Sequence, residues 1–111
     1  MVRQARIAIS EEVRGANLLL SIDGELDIST VPLLEQQIEA VHESPTPLTL
    51  DLSGLTFMDS SGLRLLIELS ERARREAWKL SLVPSRHESA NIVLRITGAD
   101  SALPFSERAP E

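Results

Sequence analysis

One short segment, Asp59-Ser60-Ser61-Gly62, sets a carboxylate, two hydroxyls and a glycine side by side. A hydroxyl next to a carboxylate can act as a nucleophile, accept a phosphoryl group or cap a helix. The nucleophile reading asks for a strained strand-to-helix turn of the form Gly-x-Ser-x-Gly and for a base. Met58 stands where the first glycine belongs, and neither His42 nor His87 has an acidic partner recognisable from spacing, so no Ser-His-Asp constellation is assembled. A phosphate-binding loop would need a lysine after its glycine, and Gly62 is followed by Leu63. The residues by themselves support a capped turn: the first N–H groups of a helix lack partners, and Asp59 or either serine can accept from them. No catalytic residue is assigned, and a binding protein rather than an enzyme is expected.

Charge and composition narrow the partner. Seventeen acidic residues against eleven basic ones give a formal charge of −6, the wrong sign for a protein that must neutralise phosphates, so no direct nucleic-acid contact is expected. There is no cysteine and there are two histidines, which leaves no thiolate or histidine-rich metal site and fits a reducing compartment. No metal and no cofactor are expected. No apolar run approaches the ~18 residues of a membrane span, and the N-terminus does not read as a signal peptide. A cytoplasmic protein without membrane insertion, monomeric or weakly dimeric, is the expectation. With 111 residues, 42% of them hydrophobic, the chain suits one compact domain over residues 5–106, followed by a flexible tail over 107–111.

The elements that must hold the turn follow from hydrophobic period. Ile7, Ile9 and Val13 suggest a first strand, and Leu18, Leu20 and Ile22 alternate with Leu19, Ser21 and Asp23 as a second. After Gly24-Glu25-Leu26-Asp27 the step changes to three and four through Val31, Leu34, Ile38 and Val41, predicting a helix over about Thr30 to His42, with Pro32 in its first turn and Ser29 or Thr30 as cap. Leu48, Leu50 and Leu52 mark a strand, and Leu55 to Met58 carries the chain to Asp59. The next helix is predicted to bury Leu63, Leu66, Ile67, Ser70, Ala73 and Ala77, with Glu68–Arg72 and Glu71–Arg75 pairs on its solvent side. Lys79 to Val83 reads as a strand, Glu88 to Ile96 as a helix stopped by Gly98, and Leu103 to Phe105 as an edge segment, because Pro104 cannot donate to a ladder. This alternation implies an α/β fold with right-handed crossovers.

The stretch from Leu50 to Leu63, Leu-Asp-Leu-Ser-Gly-Leu-Thr-Phe-Met-Asp-Ser-Ser-Gly-Leu, resembles the signature of STAS-domain anti-sigma factor antagonists. The likeness extends upstream to Gly24-Glu25-Leu26-Asp27 and downstream to Ile96-Thr97-Gly98-Ala99-Asp100. It implies a STAS fold with a mixed, mostly parallel sheet of four to five strands covered by about three to four helices. By the same resemblance, Ser60 is phosphorylated by a partner that is both anti-sigma factor and serine kinase, with Ser61 the alternative, and a serine phosphatase restores the hydroxyl. The dephosphorylated form binds the anti-sigma factor and releases a sigma factor. Asp23, Asp27, Asp59, Ser60, Ser61 and Gly62 are the implied partner-binding residues, the first two in loops. Other settings of such a domain are a scaffold or stressosome-type component, or a soluble partner of a membrane transporter. One departure stands out: Glu76-Ala77-Trp78 lacks the glycine that commonly separates the second helix from the next strand in such proteins.

Overall fold

The computed structural model describes residues 6–106. Its elements are β1 (Ile7–Arg14), β2 (Asn17–Leu26), α1 (Val31–Val41), β3 (Leu48–Asp51), β4 (Leu55–Met58), α2 (Ser60–Arg75), β5 (Leu80–Val83), α3 (Glu88–Thr97) and α4 (Ala99–Ala102). The sheet runs β1-β2-β3-β5, with β4 also on β2. β1 is antiparallel to β2, and the other pairings are parallel. This is the mixed, mostly parallel sheet expected. Residue 5 and the segment 107–111, read from sequence as a tail, lie outside the described residues.

β3 and β4 follow one another along the same side of β2: Leu18 to Ser21 pair with β3, and Gly24 to Leu26 pair with β4. Alternation then sends Leu18, Leu20 and Ile22 of β2, Leu48 and Leu50 of β3 and Leu80 and Leu82 of β5 into one core. The helices close it with Leu34, Ile38, Leu65, Leu66, Leu69, Ala90 and Leu94. Gly98 ends α3 with a left-handed φ of 78°, as its sequence position predicts. Phe105 bridges Leu82 at the outer side of β5, where Pro104 contributes its carbonyl to the Leu82 N–H. No helix among the described residues is long and apolar enough to cross a membrane.

Three details correct the sequence reading. Leu55 to Met58 is a strand, with both end residues buried and both middle ones exposed, so period-two alternation could not reveal it. Its outer carbonyls are satisfied by hydroxyls, Ser85 Oγ donating to Leu55 O and Ser89 Oγ to Thr56 O. In α2 the buried stripe is Gly62, Leu63, Leu65, Leu66, Leu69 and Ala73; Ile67 is exposed and Ala77 lies beyond the helix end. The Glu68–Arg72 and Glu71–Arg75 pairs do not form. Arg72 instead bridges Glu39 of α1 and Glu76, tying the two helices together across their exposed flank.

The missing glycine after α2 has a structural consequence. Ala77 takes φ 58°, the Trp78 N–H donates to Ala73 O at 3.0 Å and the Ala77 N–H to Arg74 O at 3.4 Å. These two bonds make a Schellman closure with alanine at the left-handed position. Trp78 is buried in the core, its ring 4.3 Å from the His42 imidazole, and its Nε1 donates to Glu76 Oε1 at 3.1 Å. The anchored indole holds the turn that alanine disfavours.

Candidate functional site

Because β2 and β4 are parallel neighbours, their C-terminal ends open on the same side of the sheet. Leu26 and Met58 are register partners, and each is followed by an aspartate, Asp59 directly before α2 and Asp27 in the turn that leads to α1. The Asp59 N–H donates to Leu26 O at 3.2 Å, which seats the two turns side by side.

Both aspartates accept backbone N–H groups, Asp59 as the cap of α2 and Asp27 in the turn that leads to α1. Asp59 Oδ1 accepts from the N–H groups of Ser61 at 2.8 Å and Gly62 at 3.3 Å, and Asp59 O accepts from Leu63 N at 3.2 Å. At α1 the N-cap residue is Thr30, one of the two expected, but no side chain caps that helix; Asp27 holds the turn before it. Asp27 Oδ1 accepts from Ser29 N at 2.9 Å, Ser29 Oγ at 2.7 Å and Thr30 N at 3.1 Å. The Ser29 hydroxyl first, and the backbone N–H groups with it, hold the Asp27 carboxyl below its ordinary titration range against the opposing effect of partial burial. Thr30, buried, uses its hydroxyl to staple the turn, accepting from Asp27 N and donating to Glu25 O.

With Asp59 as the cap, neither serine is needed for it. Ser60 is the exposed first residue of α2, and its hydroxyl has no hydrogen-bond partner among the described residues. Ser61 is half-buried and faces a groove of about 370 Å³ between α1 and α2, whose walls include Ile28, Glu35, Arg64 and Glu68. Gly62 is buried, and a Cβ there would lie 2.7 Å from Met58 Cγ and 3.0 Å from Leu26 O. The close approach this glycine permits is thus to its own chain, bringing α2 down onto β2 and β4.

Asp23 stands apart. It belongs to β2 rather than to a loop, its carboxylate lies over Gly54, and three strand residues separate it from Asp27, about 13 Å along the chain. The structure brings together Asp27, Asp59, Ser60 and Ser61, with Gly62 beneath them. Two residues escaped the sequence reading: Ile28, 77% exposed beside the Asp27 turn, and Arg64, four residues after Ser60. Helical spacing from Ser60 was the available signal for Arg64; an exposed isoleucine in a turn carries none.

Neither histidine forms a hydrogen bond to Ser60 among the described residues. His42 is buried at the far end of α1, about 16 Å of helix away, its Nε2 on Thr46 O; His87 precedes α3. Among the described residues no group of three or more His, Cys, Asp or Glu side chains could hold a metal ion.

Comparison with known proteins agrees with this geometry. The family model described as "Mlab, STAS domain" matches residues 9–103. The anti-sigma-F factor antagonist RsfB of Mycobacterium tuberculosis is 46% identical over 55 residues, 49% of this chain and 45% of that protein, so the chain spans about half the length of the curated relative it matches. A solved anti-sigma factor antagonist from Mycobacterium paratuberculosis is 30% identical, with TM-score 0.79 over 92% of this chain and 86% of that one. The unphosphorylated form of the antagonist SpoIIAA, known from Bacillus, shares the fold at TM-score 0.72 and 20% identity over 92% and 89% of the two chains. A motif match running from one sheet edge to the last helices, and a fold matched over nine-tenths of its length, place this chain in the STAS-domain family, which includes these anti-sigma factor antagonists.

Proposed function

We propose that this chain is an anti-sigma factor antagonist switched by phosphorylation of Ser60. Unmodified, it binds an anti-sigma factor that is also a serine kinase and so releases a sigma factor. Its relatives carry the name antagonist, and the observation that carries the switch is the division of labour at α2: Asp59 caps the helix and leaves the Ser60 hydroxyl exposed and unpartnered. In the transfer, Ser60 Oγ bonds to the γ-phosphorus of ATP as its bond to the bridging oxygen breaks. ADP departs with that electron pair, and the hydroxyl proton passes to a base of the kinase. A serine phosphatase reverses the state by hydrolysis, giving inorganic phosphate and the free hydroxyl.

The fold tolerates the added charge, because a helix start favours an anion by roughly 0.3–1 kcal/mol. The N–H groups of Ser61, Gly62 and Leu63 are already taken, so the phosphate projects outward, above two carboxylates, where a partner must meet it. SpoIIAA has been solved in a phosphorylated form as well, an instance of this architecture carrying the modification.

The test is to incubate the protein with anti-sigma factor kinases of its host and radiolabelled ATP. One kinase should label the wild type and Ser61→Ala but leave Ser60→Ala unlabelled. Equal labelling of Ser60→Ala would remove Ser60 from the account.

A further inference from the structure

Arg64 is an exposed cation that the fold leaves without an ion pair among the described residues. It lies on α2 one turn after Ser60, and it lines the groove with Ser61, which Glu68 and Glu35 also border. Arg72, by contrast, holds Glu39 and Glu76 at once. Long helical side chains run back toward the helix N-terminus and cover the turn before their own Cα. From position 64 that turn is the one bearing Ser60 and Ser61.

We infer that Arg64 is the intramolecular counter-ion of a phosphate on Ser60, a positioning residue for the modified state of the switch. The inference rests on the reading of Ser60 as the phosphorylated residue. Residues four apart on a helix have Cβ atoms about 5–6 Å from one another, and the pair with the acidic member first is the favoured orientation. A phosphoserine carries about −1.5 to −2 charges and three acceptor oxygens, which suit the planar, forked donors of a guanidinium better than one carboxylate does. Because Asp59 occupies the first-turn N–H groups, the side chain of Arg64 is what the helix itself can offer the phosphate. Modification then does two things at one place: it adds negative charge and withdraws a cation from the surface shared with Ile28 and Glu68. A partner that had met Ser60, Arg64 and Ile28 together finds a different charge pattern along the whole first two turns of α2.

The experiment installs phosphoserine at position 60 during synthesis, so that neither kinase nor anti-sigma factor is involved, and follows the second phosphate ionisation by phosphorus NMR against pH. In the wild type the midpoint should lie about half a pH unit below that of Arg64→Gln, the shift expected of one cation near 5 Å in a solvated setting. Arg64→Lys should recover part of the difference, and about 0.5 M salt should shrink it. Equal midpoints for the wild type and Arg64→Gln would overturn the inference. That result would leave kinase labelling of Ser60 untouched, just as failure of labelling would leave this titration unchanged.

Discussion

Asp27 and Asp59 follow two neighbouring strands, Asp59 as the cap of α2 and Asp27 as the acceptor in the turn before α1, and the serines beside them are used differently. At α1 the Ser29 hydroxyl is spent on Asp27 Oδ1; at α2 the Ser60 hydroxyl is left over. Spacing in the sequence identified a capped turn at both places but could not assign the cap, since Asp, Ser and Thr all accept from N–H groups and the outcome depends on which oxygen reaches them. The Asp27 turn should be visible in stability. Asp27→Ala should cost about 1 kcal/mol near neutral pH. Because the folded-state carboxyl titrates below its ordinary 3.8, that contribution is complete above the unfolded value and is lost as pH falls through the folded one. Thermal melts of the two proteins should therefore differ near pH 7 and converge only once the pH has fallen below the ordinary carboxylate range. A gap unchanged by acid would show that the carboxylate charge is not what holds the turn before α1.

At the scale of elements, period was a good guide where an element buries one face and a poor one elsewhere. The leucines of β2, β3 and β5 alternate and were legible. β4 was not, because its two ends are buried and its outer edge is satisfied by Ser85 and Ser89 hydroxyls rather than by another strand. The stripe of α2 shifted from Ile67, Ser70 and Ala77 to Leu65 and Leu69 because that helix packs against α1 as well as the sheet. The absence of glycine at its end was legible as an oddity, and the structure gives it a cost: Ala77 adopts a conformation that disfavours a Cβ by roughly 1 kcal/mol. Ala77→Gly should relieve that strain and raise the melting temperature by about 5 °C, less whatever glycine returns to the unfolded chain as entropy. A lower melting temperature for the variant would mean that the Trp78 anchor, rather than backbone preference, governs the closure.

For the molecule as a whole, the sheet's topology makes the site. Two parallel strands open at one side, their helices start there, and buried Gly62 lets α2 sit close enough for the two turns to touch. The candidate residues Asp59 and Ser60 could be named from a motif; the neighbourhood of Asp27, and the separation of Asp23, required the register. The central claim is that charge at Ser60 breaks a partner interface while leaving this frame standing. Two like unit charges about 6 Å apart, at an effective dielectric near 20, repel by roughly 3 kcal/mol, about a hundredfold in affinity. The most direct measurement is calorimetric binding of the unmodified and the phosphoserine-60 proteins to the kinase that labels Ser60, with circular dichroism confirming that both are folded. The account predicts affinity weaker by about a hundredfold for the phosphorylated protein at unchanged fold; equal affinities for the two folded forms would contradict it.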